Sequence, residues 1–168
     1  MTISMFEASS PRFINMLKNL GAILAKAEAH AEAKKIAPAV LLGSRLFPDM
    51  FALTRQVQIA CDHAKGAAAR LAGIEVPKFE DTEETFADLQ ARIAKTIAFV
   101  ESVSAEQING SEGREIAFTI GGYDMKFNGM QYLLGFALPN FYFHVTTAYN
   151  ILRHNGVEIG KRDFVGTV

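Results

Sequence analysis

Apolar residues recur at three- and four-residue spacing in four long stretches of the chain, the period of an amphipathic helix. Over 10–35 the stripe is Phe13, Leu17, Leu20, Leu24 and Ala27, with Ser10 as N-cap and Pro11 in the first helical position. The second half of that stretch is mostly Ala, Glu and Lys, which predicts a solvated helix end, stopped by Pro38. A second helix is predicted over 48–72, opened by Pro48 and closed by Gly73, with Leu53, Val57, Ala60, Ala64, Ala67 and Leu71 inward. Its alanine-rich half, 64–69, admits a close neighbour. Residues 74–80, with Pro77, read as a linker. Asp81 and Glu84 read as a capping pair for a third helix over 82–102, with Phe86, Leu89, Ile93, Ile97 and Val100 inward. Asn128 caps a fourth helix over 129–154, kinked by Pro139, with Phe141, Val145, Ala148 and Leu152 inward and Asn155-Gly156 as its stop. Short helical turns fit 39–42 and 104–108.

One region breaks this rhythm. Glu115 to Ile120 and Tyr123 to Phe127 each alternate polar and apolar residues around Gly121-Gly122, which predicts a β-hairpin within 114–128. A lone hairpin is marginal in water, so it is expected to pack on the helices or on another chain. The last dozen residues read as an extended tail. The whole, 1–168, is therefore expected to be a single mainly α domain: a four-helix bundle with a small β-hairpin between helices three and four.

Composition narrows the partners. Formal net charge is −1 with both signs scattered, and no basic stripe points to nucleic acid. The most apolar run, from Tyr132 to Phe143, is too short for a bilayer and is interrupted by Pro139 and Asn140, so it reads as a buried helix and no membrane partner is expected. A single cysteine, Cys61, excludes an internal disulfide, and the first seven residues lack the features of a signal peptide; both fit a cytoplasmic protein. Cys61, among Ile59, Ala60 and Ala64, reads as a small buried hydrophobe.

Candidate chemistry rests on histidines. Of His30, His63, His144 and His154, His144 borders the apolar stripe of helix four, with Asn140 one turn earlier on the same face. That pair resembles half of a metal site built between facing helices. The structural alternative is a core histidine with its hydrogen bonds satisfied, and an Asn140 that caps backbone freed by Pro139. Opposite, Gln56, His63 and Arg70 repeat every seven residues and share a face of helix two. Asp62 and His63 offer a carboxylate and an imidazole, but neighbours on a helix diverge by about 100°. At most one of them can face the bundle core. No nucleophile elbow, phosphate loop, dinucleotide fingerprint or zinc-binding cysteine cluster occurs.

Three segments carry a resemblance. Arg55-Gln56-Val57-Gln58-Ile59-Ala60-Cys61-Asp62-His63-Ala64-Lys65-Gly66, Asn140 through Tyr149, and Leu152-Arg153-His154-Asn155-Gly156 through Phe164 resemble a bacterial family designated domain of unknown function nineteen ninety-three. That family is grouped with the DinB-like, or YfiT-like, four-helix bundles, described as metalloenzymes. The resemblance implies a DinB-like bundle, often a homodimer, and one divalent metal, nickel or zinc, on three histidines. Some members of the wider group are transferases or isomerases that use a low-molecular-weight thiol. Carried over residue by residue, the two histidines of the last helix fall on Asn140 and His144. The helix-two histidine falls on His63, or nearer Gln58 when counted back from Gly73. Asn140 departs from the pattern, and a neutral amide is a weak donor for such a metal. Two functions follow as expectations. One is a metal-dependent transferase or hydrolase acting with a thiol, with His144 and His63 as ligands and Asn140 or Asp62 completing the site. The other is a non-enzymatic dimeric bundle with a degenerate metal site, binding a small ligand or a protein partner through Asn140, His144, Asp62 and Gln58.

Overall fold

The computed structural model describes residues 2–167. In chain order the helices are α1 (Met5–Ala8), α2 (Ser10–Lys34), α3 (Pro38–Leu42), α4 (Leu53–Ala72), α5 (Phe86–Glu101) and α6 (Ala105–Ile108). An antiparallel hairpin follows, β1 (Glu115–Ile120) and β2 (Tyr123–Asn128). Then come α7 (Gly129–Tyr132), a π-helical turn (Leu133–Ala137), α8 (Leu138–His154) and α9 (Lys161–Val165). The four long helices pack in the cyclic order α2, α5, α4, α8. The predicted stripes form their shared core. Every inward residue assigned to α2, α4 and α8 is buried, and on α5 only Ile97 is left partly open.

The hairpin stands where it was expected, with Ile120 opposite Tyr123 and Ile116 opposite Phe127. Gly121 and Gly122 both adopt positive φ (57° and 83°), the conformation a two-residue hairpin loop demands and glycine supplies without strain. One face of the hairpin is aromatic. Phe118 and Phe127 meet Tyr132 and Phe136 at centroid distances between 5.5 Å and 6.1 Å, so the hairpin packs onto the turn that opens the last helix.

Four boundaries differ from the sequence expectation, each for a local reason. Pro48 starts a turn and not a helix: the Met50 N–H bonds the Phe47 carbonyl at 3.0 Å with Pro48 second in the turn, and α4 begins at Leu53. Asp81 does not cap α5, because its carboxylate pairs with Arg55 and Arg92. Thr85 caps α5 instead. Its hydroxyl accepts from the Asp88 N–H, and Asp88 accepts from the Thr85 N–H. At the other end of the chain, 161–165 is helical, not extended. Asn19 donates to the carbonyls of Phe164 and Val165, and Lys26 pairs with Asp163, tying α9 to α2. Ser10 is already the first residue of α2, and the preceding Ser9 spends its hydroxyl on the Met5 carbonyl.

The run from Tyr132 to Phe143 is buried only on one side. Tyr132, Leu133, Ala137 and Phe141 are fully enclosed, while Leu134 and Phe143 are more than half exposed. No helix among the described residues is long and apolar enough to cross a membrane.

The segment between α4 and α5 is held by one buried cation. Arg92 of α5 has a side chain only 1% exposed. Its guanidinium reaches Asp62 of α4 at 2.9 Å, Asp81 at 2.9 Å and Glu83 at 3.0 Å. Arg92 also donates to the Glu80 carbonyl. A guanidinium cannot shed its charge, so removing it strands three carboxylates that were folded around it. Arg92→Met is expected to lower unfolding free energy by about 3 kcal/mol in urea titration, at the low end for a broken buried pair because Asp62 and Asp81 keep partial access to water. A loss below about 1 kcal/mol, the range of surface pairs, would show that the segment is held by something else.

Candidate functional site

Two imidazoles meet where α4 packs against α8. His63 and His144 lie with ring centroids 5.8 Å apart and planes within 15° of parallel. Gln56, one heptad before His63, is fixed between them and the loop before α4. Its Nε2 donates to the Phe51 carbonyl at 3.0 Å, so its Oε1 faces His144 Nδ1 at 2.7 Å. That arrangement assigns the proton of His144 to Nδ1 and leaves Nε2 with a lone pair. His63 also meets the edge of Phe136 at 5.7 Å, and Phe143 meets His144 at 5.2 Å.

A cleft of about 350 Å³ opens beside His63, between α4, β1 and the π-helical turn. Its apolar wall is Ile59, Phe118, Ile120 and Phe136, and its polar wall is Arg55, Asp62, His63 and Arg70. The Arg70 guanidinium lies 4.3 Å from the Phe118 centroid and donates to the Tyr132 hydroxyl at 3.2 Å. Arg55 is already paired with Asp81 and bonded to Gln58 Oε1.

The expected site residues divide sharply. His63 and His144 come together. Asp62 borders the cleft, but its carboxylate is held by Lys65 and Arg92, both at 2.9 Å, so it faces α5 and not the imidazoles. The two neighbours diverge as helix geometry requires. Gln58 is buried on the same side as Asp62. It donates to Glu83 at 2.7 Å and accepts from Arg55. Asn140 donates its amide to the Phe136 carbonyl one turn back at 2.7 Å, within the backbone loosened ahead of Pro139. Arg55 and the hairpin residue Phe118 join the site without having been singled out, and Gln56, named with His63 and Arg70 as one helix face, enters as the hydrogen-bond partner of His144. The seven-residue spacing of Gln56, His63 and Arg70 placed Gln56 and Arg70 on the face of His63 but gave no signal for Arg55. Nothing in the sequence points Phe118 at them.

Burial keeps both imidazoles neutral well below their usual range. His63 is pushed down to about 4, first by desolvation and then by His144 and Arg70, against the opposing pull of Asp62. His144 is pushed down to about 4 by desolvation and by Arg55. Cys61, fully buried, is pushed up to about 12 by desolvation and stays a thiol, so it offers no thiolate.

The donor set does not fit a metal held by three histidines. Two imidazoles are present, and the third position carries an amide already committed to the backbone. Among the described residues no three His, Cys, Asp or Glu side chains are grouped to hold an ion. The guanidiniums of Arg55 and Arg70, which help keep protons off the rings, would also repel a dication.

The bundle and its hairpin have the fold of a DinB-type protein. Over 97% of its length the chain is similar, at 45% identity and with a TM-score of 0.89, to a DinB family member protein from Shewanella denitrificans known from a crystal structure, of which it covers 92%. The family model described as "Domain of unknown function (DUF1993)" matches residues 5–165, and the chain belongs to that family. Among curated proteins, none matches this chain.

Proton linkage gives the imidazole pair a measurable signature. The unfolded chain binds protons at an ordinary histidine pKa of 6.5, the folded one only near 4. Between those values the unfolded state holds more protons, so stability falls as pH drops from 6.5 towards 4. The urea midpoint is expected to fall across that window, and to fall less in His63→Gln. Identical pH slopes in the two proteins would mean that His63 titrates as it does in the unfolded chain.

Proposed function

We propose that this DinB-family protein binds a small organic ligand in the cleft between α4, the hairpin and the π-helical turn, and that His63, with His144 stacked on it, serves there as a neutral hydrogen-bonding group. The observation that carries this reading is the composition of the cleft. An aromatic and aliphatic wall faces two guanidiniums and a neutral imidazole, with the bordering carboxylate turned away. Such a lining recognises an organic molecule by shape and by a few polar contacts. It supplies neither an acid nor an activated nucleophile beside the imidazoles.

A second reading, a metal-dependent enzyme acting with a low-molecular-weight thiol, keeps one specific observation in its favour. Metal-ligating histidines characteristically donate their other ring N–H to an oxygen acceptor, and Gln56 gives His144 such an acceptor. Metal content of the purified, untagged protein separates the readings. Substoichiometric nickel and zinc, unchanged by His144→Ala and by incubation with either ion, are expected for the ligand-binding protein. Stoichiometric metal that His144→Ala abolishes would replace it with the metalloenzyme.

The ligand-binding reading includes a homodimer. Phe51, whose carbonyl holds Gln56, and Phe143, whose ring meets His144, are each 56% exposed and offer apolar surface for a second copy. Sedimentation is expected to show a dimer that Phe51→Ser weakens; a monomeric wild-type chain would remove the dimer from the reading.

A further inference from the structure

Resting on the ligand-binding reading, we propose that the cleft takes a monocarboxylate with an apolar, ring-sized body, and that Arg70 is the residue that receives its carboxylate.

The argument starts from an unbalanced charge. The cations around the cleft are not equivalent. Arg55 is matched by Asp81, and the nearby Lys65 and Arg92 share Asp62. Arg70 has no carboxylate within ion-pair distance among the described residues. Its protein hydrogen bond goes to the Tyr132 hydroxyl, one of the five N–H donors that a guanidinium carries. It is also partly buried, and its place is held by Phe118, whose ring centroid lies 4.3 Å from the guanidinium carbon, and by the Tyr132 hydroxyl. A planar, oriented guanidinium with free donors matches a carboxylate in two parallel hydrogen bonds. One unmatched cation calls for one negative charge.

The rest of the cleft sets the body of the ligand. Ile59, Phe118, Ile120 and Phe136 form its apolar wall, and the volume suits a single ring with a short arm. His63, uncharged at neutral pH, adds a hydrogen-bonding group without a second positive charge.

Gly66 shows that the chain makes room for this arrangement. It lies buried inside α4, one turn before Arg70, where glycine is a poor helix former. A methyl group built there would run into Arg70 Nη1 and come within 3.9 Å of the Tyr132 hydroxyl. Alanine would suit the helix and displace the fork. The glycine therefore trades helix propensity for the position of one guanidinium.

The test uses the full chain without added metal, followed by nuclear magnetic resonance and calorimetric titration. The probes are benzoate, its neutral isostere benzamide, and inorganic phosphate. Benzoate is expected to bind with shifts at His63 and on β1, and benzamide to bind at least about tenfold more weakly, the loss of one charge-assisted contact. Arg70→Lys, which keeps the charge and loses the fork, and Gly66→Ala, which keeps the arginine and moves it, are each expected to weaken benzoate by a similar factor. Gly66→Ala is expected to retain the wild-type thermal midpoint or raise it, so its loss of binding cannot be put down to unfolding. Equal binding of benzoate and benzamide would overturn the carboxylate assignment and leave the cleft as a ligand site. Tighter binding of phosphate than of benzoate would overturn the apolar body. Full benzoate affinity in Arg70→Lys and Gly66→Ala would remove Arg70 from the role, and failure of both aromatic probes to bind would overturn the proposal as a whole. The metal content of the protein remains a separate result and decides the underlying reading by itself.

Discussion

Arg92 sits where water cannot reach it, and its guanidinium stays charged at any pH the fold survives. That single fact organises one side of the bundle. A buried cation is tolerable only when anions come to it, and here they come from α4 and from the segment before α5. Asp62 turns towards α5 to supply one of them. Glu83 supplies another and takes Gln58 as a further partner. Two residues that had been expected in a functional site are thereby given structural work. The consequence reaches the cleft: the carboxylate next to His63 in sequence is taken up by Lys65 and Arg92, Arg55 is paired with Asp81, and Arg70 is left as the cation there with no carboxylate partner among the described residues.

The opposite wall depends on a backbone irregularity. Pro139 has no N–H to return to the carbonyl one turn earlier, and the helix meets this by widening over Leu133–Ala137 instead of breaking. The Leu138 N–H bonds the Leu133 carbonyl, and the Asn140 amide takes the Phe136 carbonyl. The wide turn stacks Tyr132 with Phe136 at 5.9 Å and presents both to Phe118 and Phe127 of the hairpin. A two-stranded hairpin has too little pairing to stand alone, so these aromatic contacts hold it in place. The kink, the hairpin and the cleft are therefore one structural unit.

How much of this the sequence disclosed follows from the range of the forces involved. The apolar stripes, the Gly121-Gly122 turn and the Asn128 cap are written in neighbouring residues, and all were legible. The starts of α4 and α5 were not. Pro48 fits the second position of a turn as well as the first of a helix, and Asp81 with Glu84 has the composition of a cap. What decides Asp81 is Arg55 and Arg92, twenty-six residues before it and eleven after it. The site shows the same division. The heptad from Gln56 through His63 to Arg70 was legible because it lies on one helix. The direction of Asp62, the use of Asn140 and the arrival of Phe118 are set by contacts across the fold.

On the proposed reading, the histidine pair is a case of a shared fold that keeps its shape while its chemistry moves. In a bundle that gathers three imidazoles, each brings a lone pair to a common point, and a dication supplies the charge they lack. Here the position matched by Asn140 brings an amide, and the helix has found a use for it in its own backbone. The two remaining imidazoles are desolvated next to guanidiniums, which disfavours any added positive charge, proton or metal alike. The same field favours an anion. The proposed carboxylate ligand would use that field: an amide in place of an imidazole, and an Arg70 with no carboxylate in ion-pair distance among the described residues, suit an anion without moving a helix.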